Sequence, residues 1–103
     1  MRGMQDMLRQ AQLMQRKLAA AQDELKTREV EAASGGGMVT VRATGGQEIV
    51  SVVIDKSVVE AGDVEMLQDL VLTAVQDALK KAKAMNEAEM GKITGGVKIP
   101  GMF

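Results

Sequence analysis

The chain has 103 residues, one domain's worth, with 46% hydrophobic residues and a formal net charge of −1. It has neither Cys nor His; this excludes disulfides and thiolate chemistry, and it removes the commonest general base and metal ligand. Nine Met, one Phe (Phe103), no Tyr and no Trp make a core poor in large rings, for which association into a homodimer is the expected remedy.

Charge is unevenly spread. Residues 1–28 hold six basic and three acidic side chains, residues 29–64 two and six, and residues 65–103 five of each. No apolar run approaches the ~20 residues that cross a bilayer. The opening Met1-Arg2-Gly3-Met4-Gln5-Asp6 leads into a polar amphipathic stretch rather than an apolar signal core, so a cytoplasmic protein without a membrane partner is expected.

Met4, Met7, Ala11, Met14, Leu18, Ala21 and Leu25 recur at alternating steps of three and four, a heptad seam that predicts a helix from residue 4 to about 27. At 1.5 Å per residue it is about 35 Å long, more than so small a core covers, and part of it is expected to project. Arg28–Ala33 alternates like an edge strand with Glu29 and Glu31 outward. Ser34-Gly35-Gly36-Gly37 makes a turn, and Met38–Ala43 alternates with Val39, Val41 and Ala43 on one face. After a second turn, Thr44-Gly45-Gly46-Gln47, the β-branched run Glu48–Ile54 completes an antiparallel three-stranded meander.

Ser57-Val58-Val59-Glu60 has capping-box spacing for one helical turn before Gly62, and Asp63 is suited to cap a second long helix. On that helix Leu67, Leu70, Val71, Ala74, Val75, Ala78, Leu79 and Ala82 form a broad face for a sheet. It is expected to end near Gly91. The organisation is then α+β, in the order α-β-β-β-α, with one domain over residues 1–90 and a flexible tail over 91–103.

Catalytic constellations are missing. The glycine runs fit neither a Walker loop nor G-x-G-x-x-G, since Ile93 follows Gly91-Lys92 and Thr40 stands where the last glycine is required. Asp55, just after a strand, is better suited to a turn or helix cap than to Mg²⁺. No enzyme activity, cofactor, metal or small-molecule substrate is expected.

What remains is charge on helices. Arg2, Arg9 and Arg16 are seven residues apart, opposite the apolar seam, with Lys17 beside them. Guanidinium groups ~10 Å apart along a rod suit phosphates along a duplex, although soluble helices commonly keep charges there. Lys80, Lys81 and Lys83 form a second cluster on the other long helix, where cations also offset the helix dipole. With no ring for base stacking before Phe103, backbone contact with duplex DNA is the expected mode of any nucleic-acid binding. The alternative is a dimeric protein-interaction scaffold without direct DNA binding, its Met-rich seam holding a partner.

Four blocks carry a resemblance. Gln10-Ala11-Gln12-Leu13-Met14-Gln15-Arg16-Lys17, Ile54-Asp55-Lys56-Ser57-Val58-Val59, Glu65–Val71 with Ala74 and Asp77-Ala78, and Gly96–Gly101 occur in order, and together they resemble the YbaB/EbfC family, with Lys56 where that family has Pro. The resemblance implies an α-β-β-β-α subunit, a tweezer-like homodimer with projecting long helices, and DNA binding in the nucleoid with a role in its organisation or in gene regulation. By position it also implies that Arg9, Arg16, Lys17, Lys80, Lys81 and Lys83 face DNA.

Overall fold

The computed structural model describes residues 2–95, with side chains from Gly3 onward. The elements follow the expected order: α1 (Arg2–Leu25), β1 (Glu29–Ser34), β2 (Val39–Thr44), β3 (Ile49–Ile54), a short α2 (Lys56–Glu60) and α3 (Val64–Thr94). The strands pair antiparallel in the order β1-β2-β3, with Ala32 opposite Val41 and Val41 opposite Val52. Because strand side chains alternate, Ala32, Val39, Val41, Val52 and Ile54 share one face.

Helix α3 lies on that face through Ala74, Ala78 and Ala82, all fully buried against Ala32, Val39, Val41 and Ala43. Leu70, Val71 and Val75, expected on the same face, pack around this centre. The buried line continues through Asn86, Met90 and Thr94, again four residues apart. Four residues turn the helix by about 400°, so each step moves the line ~40° around the axis. Starting on the sheet, it comes round to α1, where Leu18, Leu25 and Met90 form a second cluster with Ala21, Met85 and Ile93.

The helix ends differ from expectation in two places. Asp55 is the N-cap of α2, its Oδ1 accepting from the Ser57 amide (2.9 Å) and hydroxyl (2.8 Å), so Ser57 lies inside the helix rather than opening a capping box. Helix α3, capped as expected by Asp63 on the Met66 amide (3.0 Å), runs through Gly91 to Thr94. A mid-helix glycine costs about 1 kcal/mol, but Met90 and Thr94 are buried on either side of it. The helix stops at Gly95, left-handed at φ 66° with its N–H on the Gly91 carbonyl. Residues 91–94 are therefore helical, and the remainder of the expected tail, 96–103, lies outside the described residues.

The result is elongated, 72 × 20 × 17 Å with a radius of gyration of 19.2 Å, where a compact chain of this length has about 13 Å. The turn between β2 and β3 joins its two clusters. Asn86 Nδ2 donates to the Gly45 carbonyl at 3.0 Å, and Gly45 is wedged against α1 and α3: a Cβ there would stand 2.8 Å from Leu25 Cδ2 and Met85 Cε and 2.9 Å from the Leu25 carbonyl oxygen. The left-handed position of this turn falls not on either glycine but on Gln47, at φ 64°.

Gly45→Ala is accordingly expected to lower stability by about 1–3 kcal/mol through overpacking. Gly46→Ala, whose new carbon meets nothing nearer than 3.5 Å, stays within about 1 kcal/mol of wild type. Urea midpoints of the two variants measure the difference.

Candidate nucleic-acid interface

Burial of Leu18 and Leu25 against α3 sets the orientation of α1. Arg9 and Arg16 are seven residues apart, hence ~20° apart around the helix and ~10 Å apart along it. Both face away from the buried line and are exposed. Arg2 begins the same helix; its side chain lies outside the described set. Lys17 is turned ~100° from Arg16 and borders a groove that it shares with Gln10, Leu13, Met14 and Ile93.

The ion pairs sort the remaining cations. Lys26 meets Asp23 at 3.4 Å, Arg42 meets Glu29 at 3.7 Å, and Arg28 and Lys92 reach one oxygen of Glu89 at 3.2 and 3.1 Å. Lys26 and Arg28 are the two basic residues of the N-terminal segment nearest the sheet, and both are paired. Among the described residues, Arg9, Arg16, Lys17, Lys56, Lys80, Lys81 and Lys83 have no carboxylate within 4.0 Å. Lys81 nevertheless has an intramolecular task, donating to the Glu31 carbonyl at 2.8 Å. Lys80 and Lys83, ~60° apart on α3, are exposed.

Within one subunit the two basic clusters are not brought together. Leu25 lies beside Met85 at the turn and Met14 and Lys17 beside Ile93, so α1 and α3 are antiparallel. Lys83 is ten residues short of Ile93, which leaves it ~15 Å along the axis from Lys17, with Arg9 farther still.

The sheet has a second exposed feature, which the strand pattern did not single out. Helix α3 crosses β1 and β2 but scarcely meets β3, so Val52 and Ile54, on the face toward the helix, remain 42% and 37% exposed. Ile49, Val50 and Val53 are exposed as well. Strand β3 is an edge, and Ile49–Ile54 contains no charge or proline to discourage pairing. That missing charge was the available signal. Nothing in the spacing of Arg28, Glu89 and Lys92 foretells their contact.

Among the described residues, no group of three or more acidic side chains is placed to hold a metal ion, and no helix is long and apolar enough to cross a membrane. The model of the YbaB/EbfC DNA-binding family matches residues 1–97. The chain belongs to that family. Its relatives include proteins named nucleoid-associated protein from Acetivibrio thermocellus, 54% identical over 95% of this chain and 88% of that protein, and from Desulforamulus reducens, 52% identical over 97% and 95%. Among solved structures, the crystal structure of an uncharacterized protein from Helicobacter pylori superposes with a TM-score of 0.66 at 28% identity, covering 76% of this chain and 90% of that one.

The Glu89 carboxylate joins the start of β1 to the last turns of α3. Its hydrogen bond from Lys92, then that from Arg28, holds its pKa below the ordinary carboxylate value. A depressed folded-state pKa contributes stability that is present above the unfolded pKa and is lost as pH falls through the folded one. Wild type should therefore exceed Glu89→Gln in stability near neutral pH, and the gap should close once pH drops below the carboxylate range; paired urea titrations at the two pH values test this.

Proposed function

We propose that this chain is a non-enzymatic, nucleoid-associated protein of the cytoplasm that binds duplex DNA as a homodimer, chiefly through phosphates, and so takes part in nucleoid organisation and gene regulation. The observation that carries this reading is the sorting of cations on the N-terminal segment. Those next to the sheet are spent on carboxylates, while Arg9 and Arg16 stand unpaired on the outer face of a helix that runs past the body. A net charge of −1 is no obstacle, because phosphate binding answers to local potential rather than to the sum over the chain.

Arg2, Arg9, Arg16 and Lys17 form the primary contact in this reading, and Lys80 and Lys83 a secondary one, with Lys81 committed in part to Glu31. A second copy is assigned to β3, whose open edge and uncovered Val52 and Ile54 are a surface that a single subunit leaves in water. The family membership and the names of the relatives support DNA as the partner.

Fluorescence anisotropy on a labelled duplex at low and raised salt tests the DNA contact. Wild type is expected to bind with a steep salt dependence, and the combined Arg9→Ala, Arg16→Ala and Lys17→Ala variant to bind weakly, with its log–log slope reduced by roughly one per lost phosphate contact. Binding that ignores salt, or that survives the triple substitution, would sink the reading. For the dimer, Val52→Lys should convert a species of twice the chain mass to a folded single subunit in equilibrium sedimentation; an unchanged mass would move the interface elsewhere.

A further inference from the structure

Past the second cluster, α1 continues without support, and what it leaves in water is sulfur. Met4, Met7 and Met14 extend the line of Leu18 and Leu25 over ~15 Å of helix, and they are 65%, 71% and 38% exposed. Met90, packed with Leu18 and Leu25, has no exposed surface. Met38 and Met66 are also open to solvent, but they stand apart from this end of the molecule. Met66 is 27 residues before Ile93 on α3, ~40 Å along the axis, and Met38 lies by Gly35 at the turn that touches Leu70. The chain has no Cys, His, Trp or Tyr, so thioethers are the side chains a mild oxidant reaches first.

Met14 differs from the other two in its surroundings. It borders the groove of about 240 Å³ that α1 forms with Ile93, together with Gln10, Leu13 and Lys17. Ile93 in turn packs against Leu18, Leu25 and Met90, so the groove continues the apolar pairing of the two helices outward. A thioether suits that place. A sulfoxide is polar, and its oxygen accepts hydrogen bonds. The groove has room for one added oxygen, and its side-chain donors are Gln10 and Lys17, four residues before Met14 and three after it on the same helix face. Ile93, the residue that α3 contributes, offers that oxygen no partner. Oxidation therefore replaces an apolar contact between helices with polar contacts inside α1.

We propose that Met4, Met7 and Met14 are a reversible oxidation site, and that Met14 is the member through which oxidation loosens α1 from α3. The oxidant is hydrogen peroxide or a related peroxide. Its O–O bond breaks as the thioether sulfur takes one oxygen; the sulfur is oxidised by two electrons, and the other oxygen leaves as water. A methionine sulfoxide reductase reverses the step with electrons from a thiol. Arg9 and Arg16 ride on the same half of α1, so the site governs how firmly they are held. That consequence rests on the DNA reading above; the oxidation site itself does not.

The full chain, treated with hydrogen peroxide in the absence of DNA, is followed by peptide mass and by amide exchange. The expected result is an added oxygen at Met4, Met7 and Met14 while Met90 stays unmodified. Exchange should quicken severalfold around Leu18 and Ala21 and stay unchanged at Val39 and Val41, showing that the sheet is intact. Methionine sulfoxide reductase with dithiothreitol should restore the original exchange. Met14→Leu keeps an apolar side chain of similar volume but has no sulfur; its exchange should ignore peroxide even though Met4 and Met7 are still oxidised. The double variant Met4→Leu, Met7→Leu should respond as wild type does. Oxidation of Met90 alongside Met7, wild-type exchange indifferent to peroxide, or a response that survives in Met14→Leu would each overturn the proposal. None of these readouts involves a duplex, so they stand or fall apart from the DNA reading.

Discussion

Ala74, Ala78 and Ala82 bring α3 against Ala32, Val39 and Val41 with no bulk between them, and because they recur every fourth residue the buried line cannot remain on the sheet. A 3.6-residue helix carries such a line steadily around its axis. The first half of α3 is thereby a sheet-covering helix and the second half a helix-pairing one, without a break or kink in between. The position of α1 follows from that rotation: it sits where the line emerges, at Met90 and Thr94. The turn at Gly45 then has to fit between Leu25 and Met85, and only a hydrogen side chain fits there.

The same arrangement governs the charges. Once Leu18 and Leu25 are committed to α3, the heptad spacing alone sends Arg9 and Arg16 outward. The acids gather where elements join: Asp23 at the end of α1, Glu29 on β1, Glu89 on α3. There they neutralise the cations nearest the sheet. A chain that is almost neutral in sum thus carries a positive rod at one end, and the separation of sign is a product of the fold as much as of the composition.

The element order, the sheet topology, the buried face of α3 and the inner end of the α1 seam, at Leu18, Ala21 and Leu25, were legible in the sequence because each rests on periodicity, whereas Met4, Met7, Ala11 and Met14 of the same seam are exposed. Asp63 as a cap and Asp55 as a strand-ending cap were legible for a similarly local reason. The capping box at Ser57 misled because Asp55, two residues earlier, competes for the same amide and also takes the Ser57 hydroxyl. The helix end at Gly91 misled because a glycine's propensity is a small cost beside the burial of Met90 and Thr94. The turn at Thr44-Gly45-Gly46-Gln47 was legible from its glycines, but their separate roles were not: the left-handed residue is Gln47, and Gly45 is needed for clearance, which only three dimensions disclose. The arginine stripe was visible as spacing. That Lys26 and Arg28 are neutralised while Arg9 and Arg16 are not depends on contacts up to 61 residues apart in sequence, Arg28 with Glu89 being the longest, and no local pattern encodes them.

Two small cores joined by one helix and one turn have a consequence for motion. The sheet cluster and the α1 cluster share no buried residue, so the contacts that hold α1 can be lost while Val39, Val41 and Ala74 stay packed. Local opening of that kind draws on only part of the global stability. The protein is thus built as two cooperative units of unequal strength, and amide exchange along its length would register a boundary in the middle of α3, inside a helix that looks continuous.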